Sequence, residues 1–214
     1  MLAAVADFTR EAQEILRNPD NFQWYVVALI TLALYVYAQE VERRRWDVIL
    51  AGITLWLADW INEIANALVL HITDRAAVWT VTGDTAYLIL IGLTIEISFM
   101  FGIAGVVYVK LLPPDPKTRL LGLPNRLTIA LVLSIVAVAV EVVLRDAGVF
   151  HWEYWWWNWP FVLSIIVFGY LWFFLAAAFV YDLRNLRHQI AVVAGMATLV
   201  ATSLIVFGVI LGWI

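Results

Sequence analysis

Four carboxylic acids interrupt stretches that are otherwise apolar: Asp59, Glu63, Glu96 and Glu141. Asn62 and Asn66 accompany the first two. Asp59, Glu63 and Asn66 recur at i, i+4 and i+7, a spacing that sets them on one stripe of a helix. No Lys, Arg or His shares their depth in these runs. In a low dielectric such acids cannot all stay ionised. Some are expected to be protonated at neutral pH, or to share a metal or a cationic ligand. A carboxylic acid kept protonated and dry can hand its proton to a group that a solvated one could not. Acids at membrane depth mark function by default. The competing expectation is structural, with protonated acids and amides hydrogen-bonding helix to helix.

A second concentration of chemistry lies in the segment from Val149 to Pro160, which holds five of the twelve tryptophans together with His151, Glu153, Tyr154 and Asn158. Tryptophan at a span end is ordinarily an interfacial anchor. So dense a run is more than a belt requires, and Trp56 and Trp60, beside Asp59 and Glu63, are too deep to belong to one. Aromatic faces near acids suit an organic cation, a developing carbocation or a polyene lipid. The residues expected to contact a substrate are therefore Trp56, Trp60, Asn62, Asn66, His151, Trp152, Glu153, Tyr154, Trp156 and Asn158, around catalytic Asp59, Glu63, Glu96 and Glu141. His71, His151, Glu63 and Glu153 could form a metal site if loops converged. The chain has no His-Glu-x-x-His, Glu-x-x-His or multi-histidine box, so no metal or other cofactor is expected.

The elements that must carry these residues follow from composition. Of 214 residues 64% are hydrophobic and 14% charged, with a mean hydropathy of +0.88. A soluble domain is nearer half apolar and about a quarter charged. The fold class expected is an all-α polytopic bundle of six transmembrane helices, over Phe22–Ala38, Trp46–Ile72, Thr85–Leu112, Leu127–Gly148, Trp159–Tyr181 and Ile190–Trp213. Asp84 or Thr85 is the expected cap of the third. Residues 1–20 read as an amphipathic helix, with Leu2, Val5, Phe8, Ala12, Ile15 and Leu16 on one face, lying on the membrane or capping the bundle. No cleavable signal is visible there. Residues 21–214 form one domain whose halves, 21–112 and 126–214, are joined by a Pro-rich loop. Small residues from Gly195 to Gly212 are expected to let the last helix pack closely.

Nine Lys and Arg fall in the odd-numbered loops, and only Arg10, Arg17, Arg75 and Arg145 on the other side. That bias makes the odd loops cytoplasmic and places both termini outside, in what is expected to be a bacterial inner membrane. Counted from the outer ends at about 1.5 Å per residue, Asp59 and Glu96 fall roughly 18 Å deep and Glu63 and Glu141 roughly 10–12 Å. All four would then line one outward-opening cavity. The partners expected are membrane lipid and a lipophilic small molecule; nothing points to nucleic acid. The absence of cysteine rules out disulfides and thiolate metal sites.

Glu141, Gly148, Trp152, Tyr154 and Pro160 resemble a pattern in integral-membrane terpene cyclases and small carotenoid cyclases, where an intramembrane acid precedes a Gly-aromatic-Tyr loop and a proline-led helix. Glu63 is similar to the acid with which those terpene cyclases protonate an alkene or epoxide. The resemblance covers about fifty residues and implies cofactor-independent acid–base chemistry on an isoprenoid. The carotenoid cyclases' Pro-Glu-Glu motif is missing, and the Asp59–Asn66 stripe has no counterpart there. Two other functions remain open: a proton- or cation-coupled transporter, and a non-catalytic lipid-binding scaffold. The inner halves of the spans are almost wholly apolar, which disfavours a through-pathway.

Overall fold

A computed structural model describes residues 5–214 and is an all-helical bundle with short paired strands at its two ends. The chain begins with α1 (Asp7–Ile15), then α2 (Tyr25–Glu42) and α3 (Trp46–Thr73). Strands β1 (Trp79–Val81), β2 (Leu88–Leu90) and β3 (Leu93–Thr94) follow, then α4 (Ile95–Leu111), strands β4 (Arg119–Leu120) and β5 (Leu123–Pro124), α5 (Asn125–Asp146) and β6 (Phe150–Trp152). The chain closes with α6 (Val162–Asp182) and α7 (Leu186–Ile210). Of these, α2, α3, α5, α6 and α7 are each long and apolar enough to cross a membrane alone. At 17 residues, or about 25 Å, α4 is the short member of the six-helix bundle.

The central helix is α3, packed against α2, α4, α6 and α7. It runs antiparallel to α4 at a contact that only glycine permits. A Cβ on Gly105 would lie 2.6 Å from the Gly52 carbonyl oxygen and 2.8 Å from its Cα. This crossing is where close packing occurs. Gly195 on α7, expected to serve that purpose, faces open space, and Thr198, Ala201 and Thr202 beside it are exposed.

Two expectations about boundaries change. The third span starts at Ile95 rather than Thr85, because residues 88–94 form a hairpin and Thr94 caps α4 by accepting a hydrogen bond from Ile97 N–H at 3.1 Å. The hairpin's residues are mostly buried in protein and paired with one another, so its backbone exposes few unpaired polar groups. The amphipathic segment folds as α1 and caps the bundle, packing on β1 with Thr9 and Ala12 buried. Leu2 lies outside the described residues.

The segment after α1 and the C-terminal residues both sit beside this cap: Arg17 N–H donates to Leu88 O, and Trp213 stacks on His71 at 4.6 Å. The opposite end of the bundle carries Arg43, Arg44 and Arg45, the Pro-rich turn from Leu112 to Pro116, and the β4–β5 hairpin. Ion pairs lace that end, with Lys110 Nζ 2.6 Å from the buried carboxylate of Glu40 and Arg126 gripping Asp182 at 2.7 Å.

Candidate functional site

Under the cap lies a cavity of about 360 Å³ between α3, α4, α5 and α6, and three of the four acids line it: Asp59, Glu63 and Glu141. The i, i+4 spacing on α3 sends Asp59 and Glu63 to the same side, and both are almost fully buried. Glu63 Oε1 accepts from the indole N–H of Trp79 at 2.9 Å. Its other oxygen, Oε2, has no partner among the described residues, and neither does Oδ2 of Asp59. Glu141 is held from both sides, by Trp152 Nε1–H at 3.0 Å and by the Tyr170 hydroxyl.

The two tryptophans that hold Glu63 and Glu141 face each other across one sheet. Strands β1 and β6 are antiparallel, with Trp79 directly opposite Trp152. Thus a two-residue rung of the cap grips one acid on α3 and another on α5. Asn66 fixes that rung. Its Oδ1 accepts from Val78 N–H at 2.7 Å and Trp79 N–H at 3.2 Å, and its Nδ2 donates to Trp79 O at 2.8 Å. Gly92 makes room for the Trp79 ring, which a Cβ there would meet at 2.5 Å. Trp79 in turn stacks on Trp157 at 5.3 Å.

Tyr170 reaches Glu141 through a local irregularity. Residues Ile165–Leu171 of α6 form wide π turns, a feature that recurs where helices serve functional sites. Asn62 Nδ2 and Trp172 Nε1 each donate to Phe168 O at 2.9 Å, occupying a carbonyl in the widened region. Asn62 also lines the cavity.

Glu96 is elsewhere. In the first turn of α4 it accepts from Thr85 Oγ1–H at 2.6 Å, from Ala86 N–H at 2.6 Å and from the Tyr25 hydroxyl. It therefore clasps α2 and the segment leading into β2 to the top of α4, and it does not line the cavity. Its expected depth of roughly 18 Å assumed a helix from Thr85. Thr85, expected to be a helix cap, serves Glu96 instead.

The remaining expected contacts are distributed around the cap. Trp56 and Trp60 both donate to Ser98 Oγ, at 2.9 and 3.2 Å. They fasten α3 to α4 away from the cavity. His151 stacks on Phe8 of α1 at 3.6 Å and contacts Thr82 Oγ1 at 2.9 Å. Burial pulls His151 below its ordinary value. Burial likewise pushes Glu153 up, against the opposing pull of Arg75. Tyr154 donates to Ala76 O at 3.0 Å, Trp156 packs edge-on against Trp157, and Asn158 donates to Trp152 O at 3.3 Å. Among the described residues no three His, Asp or Glu side chains gather for a common metal ion; His71 is stacked on Trp213 and His151 on Phe8.

Sequence reasoning missed Trp79, Trp157 and Tyr170. An indole between two short apolar segments gives no hint of the acid it will meet. The signal for Tyr170 was weaker still, because a π turn shifts the phase of every later residue on its helix.

A family model described as an uncharacterized membrane protein family matches residues 6–209. A protein of Archaeoglobus fulgidus, named only as an uncharacterized protein, is 50% identical over 204 residues, spanning 95% of this chain and 97% of its own. A second from the same organism is 42% identical over 55 residues, 26% of this chain and 98% of its own. No solved structure matches. The likeness to isoprenoid enzymes does not recur in these matches. With nearly its whole length covered by the family model and half of its residues shared with a relative of equal extent, the chain belongs to this family of membrane proteins.

Proposed function

We propose that the protein is an integral membrane enzyme performing acid–base chemistry on an isoprenoid or similarly lipophilic substrate. One observation carries the reading: among the described residues Asp59 Oδ2 and Glu63 Oε2 are buried without partners in an otherwise mostly apolar cavity. Polar atoms are rarely left so unless a ligand or a reaction needs them. Glu63 is the proton donor and Asp59 the acceptor. Glu141, gripped by Tyr170 and Trp152, sets the field between them. The ring faces of Trp79, Trp157 and Phe101 at the cavity wall suit the positive charge that follows protonation of an alkene. The resemblance of residues 141–160 to isoprenoid enzymes favours the same substrate class. Positive charge concentrated at the arginine-rich end favours a cytoplasmic position for that end, with the cap and both termini outside.

The test is replacement of Asp59 by Asn and of Glu63 and Glu141 by Gln, scored by folded yield and by mass spectrometry of lipid extracts. Catalysis requires loss of a lipid product at normal yield. Normal product profiles in all three variants would leave a lipid-binding scaffold.

A further inference from the structure

We propose that the cavity admits a single-tailed lipid with a non-anionic, hydrogen-bond-donating head, and that this lipid enters sideways between α4 and α5. The inference rests on reading the cavity as the substrate site, and it names the substrate's polarity and its route.

The route comes from how the helices pair. The main packing partners of α4 are α2 and α3, while α5 lies chiefly on α6. The seam between α4 and α5 is consequently loose. Met100, Val107 and Leu111 on one side and Val136 and Val140 on the other line the cavity, yet each is about half exposed. A residue that both lines a cavity and faces lipid marks an opening to lipid. The lining on α4 runs from Ile97 to Leu111, about 21 Å along the axis. Half of a roughly 30 Å hydrocarbon layer is shorter than that. The slot therefore accepts a tail that reaches past the bilayer midplane.

The head follows from charge and hydrogen-bond inventory. Polar groups gather at the cap end, where three carboxyls supply acceptors. The donors beside them are engaged already, Asn62 with Phe168 O, Tyr170 with Glu141 and Trp79 with Glu63. Among the described residues no Lys, Arg or His lines the cavity. Apart from the one proton that Glu63 holds, such a site needs a ligand that donates, above all to Asp59 Oδ2: an alcohol or an amine. A phosphate head would bring negative charge against carboxyls with no cation to receive it. The exposed rings of Trp24, Trp155 and Trp159 at the same end set that end at headgroup level. A lipid in the adjoining leaflet already points its head that way, so it can slide in without turning over.

The test uses the full chain in phosphatidylcholine nanodiscs with three probes: octadecanol, octadecylamine and octadecyl phosphate, each bearing a diazirine near the end of its tail. After photolysis, labelled residues are mapped by mass spectrometry. The alcohol and the amine should label the far end of the slot, at Tyr108, Leu111 and Leu133, about tenfold more than the phosphate, a factor equivalent to ~1.4 kcal/mol. Ala104→Trp or Ala137→Leu, which plug the slot from either wall, should abolish that labelling. Equal or stronger labelling by the phosphate probe overturns the head assignment, whatever the carboxyl variants do to product. The expected selectivity combined with unchanged product in those variants refutes catalysis and leaves the binding inference standing. Absence of labelling in the slot overturns the inference outright, since a protein helix or nothing at all would then fill it.

Discussion

Glu96 and Glu63 are both acids in apolar surroundings; the structure places Glu96 in a clasp, the proposed function assigns Glu63 to chemistry, and a pair of substitutions separates the two. Glu96→Ala removes the acceptor for three donors. Ala86 is fully buried, so its N–H has nowhere else to turn, and an orphaned buried donor costs about 1–3 kcal/mol. The Tyr25 and Thr85 hydroxyls can rotate, and Tyr25 is 53% exposed, so these losses are smaller. Together the destabilisation should be roughly 2–4 kcal/mol. For a chain of this size that lowers Tm by roughly 5–15 °C. Glu63→Gln keeps shape and volume, and only one oxygen of Glu63 is in use, so its effect on stability should stay within about 1 kcal/mol. Removing an acid from proton transfer, by contrast, slows a reaction about 10²–10⁴-fold.

Unfolding can be followed by intrinsic tryptophan emission, for which twelve tryptophans provide ample signal. Product is followed in lipid extracts normalised to folded protein. The expected pattern is crossed: Glu96→Ala melts early with normal turnover per folded molecule, and Glu63→Gln melts normally with product lost. Product loss in Glu96→Ala at an unchanged melting temperature would refute the assignment of Glu96 to the clasp. A large fall in the stability of Glu63→Gln with product intact would refute the assignment of Glu63 to chemistry.

Gly105→Ala should destabilise by about 1–3 kcal/mol because its methyl meets backbone rather than a movable side chain. Gly195→Ala, with open space around it, should be neutral or stabilising by up to ~1 kcal/mol in the same melts. Lys110→Met leaves the buried carboxylate of Glu40 to Arg43, at 3.6 Å. The loss should be about 1–3 kcal/mol, below that for a fully buried pair because Lys110 is half exposed, and Glu40→Leu in the same chain should recover most of it. His151 has a depressed folded-state value, so its contribution to stability is present above the ordinary value of about 6.5 and disappears as pH falls through the folded value. Hydrogen exchange of the α1 amides, corrected for intrinsic rate, should therefore accelerate in wild type on moving from neutral to acidic pH, and His151→Gln should flatten the change. Asn66→Ala leaves two cap N–H groups without acceptors, a loss of about 2–4 kcal/mol. Its product should fall in step with altered tryptophan emission; loss of product with emission unchanged would make Asn66 a substrate contact instead.

The six helical segments and the shared side of Asp59 and Glu63 were legible because each rests on one helix's own periodicity and hydropathy. Glu96 was not, because the run from Tyr87 to Leu93 just before it is apolar, and such a run reads alike as buried strand or helix. Thr94, a good cap just before α4, and Gly92, a break inside the run, were the local signs of the hairpin.

The grip on the acids was illegible for a deeper reason. Trp79 and Trp152 meet across a sheet of two three-residue strands with residues 82–149 between them, and nothing local to either strand encodes the register. What fixes it is Asn66, a residue of the same helix that carries Glu63. Because Asn66 stands three residues beyond Glu63, about one helical turn, the staple and the acid share one side of α3. The cap can therefore be aligned on α3 and still deliver Trp152 to Glu141 on α5. A one-residue slip between β1 and β6 would turn Trp152 to the opposite face of the sheet, releasing Glu141 while leaving Glu63 held. The spacing of the two acids thus depends on a pairing made outside the helices that bear them.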